Sequence, residues 1–112
     1  MLVALTAHQR STPLASLERL SVIGDEVGTR LTEAHEAIQG AVVLATCNRF
    51  EAYFDLRDDA DFPSTIPAMD AAMEEIAKLS DLPYRTVRET VDFAHGNKVA
   101  HHLFSVASGL DS

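Results

Sequence analysis

The chain has 112 residues with 17 acidic against 9 basic side chains, a formal charge of −8 at pH 7. That length holds one small domain, 46% apolar content can supply a modest core, and the longest apolar stretch, residues 41–45, is far too short to span a bilayer. The acidic balance argues against non-specific nucleic-acid binding, which needs a basic surface, but not against a partner that docks RNA elsewhere. Residues 2–6 are short and apolar and predict a first strand. Thr12-Pro13 offers an N-cap followed by proline at the first helical position, so a short helix should carry Leu14, Leu17 and Leu20 on one face. A second helix is expected from about Asp25, its stripe running through Val27, Leu31, Ala34 and Ile38 to an end at Gly40.

Residues 41–46 form a near-continuous apolar run, the pattern of a strand covered on both faces. Phe50, Ala52, Phe54 and Leu56 alternate with Glu51, Tyr53 and Asp55, which predicts a third strand with one wetter face. Only Cys47, Asn48 and Arg49 separate the two, so they should pair as an antiparallel hairpin. Residues 57–67, rich in Asp and Pro, read as a loop. Met69, Ala72, Met73, Ile76 and Ala77 then mark a helix whose methionines fill core. Pro83 opens a short helical turn, and residues 91–94 predict a fourth strand. Asn97 can cap a final helix carrying Val99, Leu103, Val106 and Ala107, with Gly109 near its end. The order β-α-α-β-β-α-β-α contains the split β-α-β pattern, so the expected fold is an α+β, ferredoxin-like sandwich with extra helices.

The residue that points furthest is the lone cysteine, Cys47, in Thr46-Cys47-Asn48-Arg49. One cysteine forms no intrachain disulfide. No basic segment followed by an apolar one opens the chain, so a cytoplasmic, reducing setting is expected. A thiol at a strand end with a cation two residues on has the placement nucleophilic work requires. The plainer reading is a small buried apolar residue, although a core cysteine has no need of Thr46, Asn48 and Arg49 beside it.

Other candidates are weaker. His101-His102 suggests a metal, but adjacent helical residues diverge by about 100° and cannot easily share one ion. Neither Cys-x-x-Cys nor His-Glu-x-x-His occurs, so no metal site is expected. His102 alone could be a polar residue edging the stripe of Val99 and Val106. The five glycines form no phosphate loop, so no cofactor-binding residue is expected in these 112 residues.

Three segments together resemble glutamyl-tRNA reductase, specifically its N-terminal catalytic domain. Residues 45–53, Ala-Thr-Cys-Asn-Arg-Phe-Glu-Ala-Tyr, are similar to that family's S-T-C-N-R-x-E-x-Y segment. Residues 102–112, His-Leu-Phe-Ser-Val-Ala-Ser-Gly-Leu-Asp-Ser, resemble its H-L-F-x-V-A-S-G-L-D-S. A weaker likeness joins His8 through Pro13, with Leu17-Glu18, to its S-H-(R/K)-x-A-P opening. Ala45 replaces the usual serine, Phe50 stands where a smaller residue is common, and at least one extra residue lies between His8 and Pro13.

The resemblance implies a domain at 1–112 whose longer protein continues into a linker helix, an NADPH-binding domain and a dimerisation domain. It implies that the Cys47 thiolate attacks glutamyl-tRNA to leave a glutamyl thioester. NADPH from another domain then reduces this to glutamate 1-semialdehyde, the first step of tetrapyrrole (5-aminolevulinate) synthesis. Carried over by position, Thr46, Asn48, Arg49 and Ser112 would hold the glutamyl group and His102 would stand at the reacting centre. Arg49 could instead only depress the thiol's pKa or pair with Glu51. A homodimer through a C-terminal domain and the downstream aminomutase are further implied partners, and no membrane is. The readings from other classes are a non-enzymatic ferredoxin-like interaction or regulatory module with a buried cysteine, and a different thiol enzyme such as a transferase.

Overall fold

The computed structural model describes residues 1–23, 26–57, 62–96 and residue 99. Four strands and four helices are seen among them, in the order β1 (Leu2–His8), α1 (Leu14–Ser21), α2 (Glu26–Glu33), β2 (Ile38–Ala45), β3 (Arg49–Leu56), α3 (Phe62–Ser80), α4 (Tyr84–Thr90) and β4 (Asp92–His95). The strands form one sheet in the order β2-β3-β1-β4, every neighbouring pair antiparallel. β1 and β2 therefore run parallel with β3 inserted between them, and β3 and β4 run parallel around β1. This double split β-α-β arrangement is the expected ferredoxin-like α+β sandwich.

Side-chain alternation divides the sheet into two faces. Val3, Leu5 and Ala7 of β1 and Phe50, Ala52, Phe54 and Leu56 of β3 face the helices. There they meet Leu20 of α1, Val27 and Leu31 of α2, Ala68, Met69, Ala72 and Ile76 of α3 and Val87 of α4. On the other face a smaller cluster joins Ala4, Tyr53 and Val99. Gly96, at φ 69°, permits the turn after β4, and its carbonyl accepts the Val99 N–H at 3.1 Å. Val99 is fully buried and helical; the remainder of the expected final helix lies outside the described residues.

Several expectations are corrected. The N-cap of α1 is Pro13 rather than Thr12, with no side-chain cap, and the Thr12 hydroxyl is buried without a partner among the described residues. Pro13 is extended at ψ 138°, so its carbonyl receives the first helical amides, Ser16 at 3.1 Å and Leu17 at 3.1 Å. Leu14 is 60% exposed while Leu17 and Leu20 are buried. Steps of three residues rotate by about −60° each at 3.6 residues per turn, which carries Leu14 off the buried stripe.

Helix α2 stops at Glu33, and Ile38 and Gly40 belong to β2. The His35 ring accepts the Ala37 N–H at 3.1 Å, forming a side-chain turn that competes with helix, and a bulge follows between Ile38 and Gly40. β2 is an edge strand whose Val42 and Leu44 are exposed on the face away from the helices, so it is not covered on both faces. The reverse holds for β3. Its expected wetter face is buried at Glu51 and Tyr53 because the strand is central, and only Asp55 of that set is exposed.

Part of the expected 57–67 loop is helix: α3 begins at Phe62 and contains Pro67 near its start. The methionine reading holds for Met69, which is 3% exposed, with Met73 packed at the core's margin. At the C-terminal end of α3, Asp81 takes the left-handed conformation at φ 56°, and Leu82 N–H reaches back to Ala77 O at 3.1 Å.

Candidate active site

Thr46 builds the hairpin tip. Its N–H donates to Arg49 O at 2.8 Å, closing the β2–β3 ladder, and its Oγ1 accepts the amides of Asn48 and Arg49, both at 3.2 Å. A hydroxyl at the head of a turn substitutes for backbone in this way. Cys47 rides on the turn and is exposed, its thiol 3.6 Å from Asn48 Oδ1. The Asn48 carbonyl in turn accepts the Gln9 N–H at 3.0 Å, which ties the tip to the chain leaving β1. A presented thiol on a braced turn is not a core cysteine, so the buried-cysteine reading loses its premise.

Arg49 points away from this exposure. It is 8% exposed, and its Nη1 lies 3.6 Å from Oε2 of Glu51, itself 2% exposed. Residues two apart on a strand share a face, and register places His8 of β1 directly opposite Arg49 on that face. Arg49 Nη2 accordingly lies 3.2 Å from His8 Nε2. A guanidinium can only donate, so Nε2 is the acceptor in the tautomer that carries its proton on Nδ1. In the other tautomer Nδ1 accepts the Arg10 N–H at 3.3 Å.

The pairing of Arg49 with Glu51, one of the two plainer roles open to it, is thus present. A guanidinium has five N–H donors, so pairing with Glu51 and gripping a second carboxylate do not exclude each other.

The structure therefore brings Thr46, Cys47, Asn48 and Arg49 together, while His102 and Ser112 lie outside the described residues. Sequence reading missed Gln9 and the contact between His8 and Arg49, both of which depend on β1 lying beside β3. The buried side of β3 carried one usable signal, the charged pair at i and i+2 beside the cysteine.

No group of three or more His, Cys, Asp or Glu able to hold a metal occurs among the described residues. Nor do those residues fit NADPH: Gly28 lies within α2, Gly40 in β2, and Gly96 is a single glycine between β4 and the helical Val99, so no glycine-rich turn of the kind a pyrophosphate cradle requires leads into a helix among the described residues. A cleft of about 320 Å³ lined by Leu5, Met69, Met73, Arg88 and Phe93 opens on the helix-covered face, away from His8, Arg49 and Glu51. No helix of the described residues is long and apolar enough to cross a membrane.

Residues 5–112 match the family model for the N-terminal domain of glutamyl-tRNA(Glu) reductase. The glutamyl-tRNA reductase of Clavibacter michiganensis subsp. michiganensis is 42% identical over 112 residues, 100% of this chain and 25% of that protein. Those of Tropheryma whipplei (strain Twist) and Nitratiruptor sp. are 36% and 31% identical, covering 100% and 99% of this chain and again 25% of each relative. The chain spans about a quarter of the length of the curated relatives it matches. A match this extensive, with the Cys47 turn inside it, means that the chain belongs to the family of glutamyl-tRNA reductase N-terminal domains.

Proposed function

We propose that residues 1–112 are the catalytic domain of an NADPH-dependent glutamyl-tRNA reductase and that Cys47 is its nucleophile. The Cys47 thiolate attacks the carbonyl carbon of the glutamyl ester, the bond to the ribose oxygen breaks, and the tRNA leaves once that oxygen takes a proton. The product on the protein is a glutamyl thioester. Covalent capture divides one hard step into two, and a thioester accepts hydride better than an ester. NADPH held by another domain would supply that hydride to give glutamate 1-semialdehyde for tetrapyrrole synthesis. In this reading Thr46, Asn48, Arg49 and Ser112 hold the glutamyl group and His102 stands at the reacting centre. A cytoplasmic homodimer handing its product to an aminomutase completes the proposal.

The observation that carries it is the exposure of Cys47 on a braced turn, within the stretch that matches the family. Cys47→Ser tests it. A serine hydroxyl is far less acidic than a thiol, and the Asn48 amide oxygen beside position 47 is too weak a base to activate it. Acid-quenched wild-type protein mixed with glutamyl-tRNA should show an adduct of glutamyl mass by mass spectrometry. The serine variant should fold and show none. An adduct of unchanged yield in the variant would move the nucleophile elsewhere.

A further inference from the structure

We infer that His8 is a positioning residue for Arg49, holding its guanidinium in the orientation that admits a carboxylate beside Cys47. The inference rests on the reading of Arg49 as the group that grips the substrate's side-chain carboxylate. Its basis is the register of β1 on β3, which sets His8 opposite Arg49 and brings Nε2 within 3.2 Å of Nη2. Glu51 Oε2 approaches the other terminal nitrogen, Nη1, at 3.6 Å.

These two contacts differ in kind. Glu51 supplies charge to a buried cation, and buried charges need a partner. His8 supplies no charge when neutral. It adds a directional acceptor at one corner of the planar fork, and so restricts rotation of that plane about the Glu51 contact. Bidentate recognition of a carboxylate depends on the orientation of that plane, which a point charge would not need. His8 is also joined to the nucleophile's turn through its neighbour, since the Gln9 N–H donates to Asn48 O at 3.0 Å. The end of β1 thereby meets both the turn that carries the thiol and the Arg49 guanidinium.

The test compares glutamyl-tRNA with glutaminyl-tRNA as thioester donors to the full-length protein under single-turnover conditions. Iodoacetamide alkylation of Cys47 is followed in parallel. His8→Ala should reduce the preference for glutamyl-tRNA by roughly tenfold to a hundredfold, the range for one hydrogen bond to a charged group. The alkylation rate should stay at its wild-type value. His8→Gln, whose amide oxygen can occupy the Nε2 position, should restore most of the preference. An unchanged preference in His8→Ala would overturn the inference. So would a loss of preference and alkylation together that His8→Gln does not rescue, because that pattern marks a residue needed only for folding. Arg49→Lys separates the two levels. If it keeps the wild-type preference, the underlying reading of Arg49 fails. If it loses preference while His8→Ala does not, only the role of His8 fails.

Discussion

Thr46 shows how much of a site one oxygen can hold. Its Oγ1 is the acceptor for two successive amides, those of Asn48 and Arg49, at 3.2 Å each, and this keeps Cys47 presented. Thr46→Val preserves shape and β-branching but removes the acceptor. At about 0.5–1.5 kcal/mol for a typical intramolecular hydrogen bond, the variant should be destabilised by roughly 1–2 kcal/mol. Amide exchange at Asn48 and Arg49 should accelerate in the valine variant and stay slow in Thr46→Ser. Equal protection in both would mean that the strands alone hold the turn. Cys47, Thr46 and Arg49 were legible because they are contiguous and sit where an apolar run stops. His8 was not, since nothing within its own segment indicates that β1 will lie against β3. Long-range register decides that contact, and local pattern carries no record of it.

Strands and helices were legible where periodicity was long, and their ends were not. β3 and the central part of α3 follow their apolar spacing closely. Ile38 continues the stripe of α2 in spacing yet belongs to β2, because the His35 turn intervenes. The start of α3 was hidden by prolines, which the first turns of a helix tolerate. A tether between α3 and α4 was also invisible: Tyr84 donates its phenolic O–H to Asp70 Oδ1 at 2.7 Å. That hydrogen bond to Asp70, then burial and the carboxylate's charge, raises the Tyr84 pKa above its ordinary 10.0. A raised folded-state value means that this stabilisation is fully present below pH 10 and disappears as pH climbs through the higher folded value. Tyr84→Phe should therefore lower the urea midpoint slightly at pH 7 and remove part of the alkaline fall. Both chains would be unfolded at pH 7, 9 and 11. If the gap between them persists undiminished at pH 11, the Tyr84–Asp70 bond is not its source.

At the scale of the whole molecule, the strand order β2-β3-β1-β4 was within reach of sequence reading because the element order already contained a split β-α-β unit. Which edge stays open was not, and the exposure of Val42 and Leu44 shows that an apolar run need not be covered on both faces. The same topology bears on where reducing power can enter. A dinucleotide's pyrophosphate is bound where a glycine-rich turn leads from a strand into a helix, whose free amides meet the phosphates. Among the described residues β1 leads into α1 and β3 into α3, while β4 leads through the single glycine Gly96 to the helical Val99. The first reads Gln9-Arg10-Ser11-Thr12-Pro13, with no glycine, and its helix is capped by a proline that has no N–H to offer. The second, residues 57–61, reads Arg-Asp-Asp-Ala-Asp in sequence, with no glycine and three acidic residues. The formal charge of −8 adds a long-range repulsion toward an anionic cofactor. Residues 1–112 should therefore give no heat of NADPH binding by calorimetry up to millimolar cofactor, while the same preparation still forms the Cys47 thioester with glutamyl-tRNA. Saturable micromolar binding would show that the acidic connection is overcome by donors elsewhere in the chain, and hydride delivery would then no longer require a second domain.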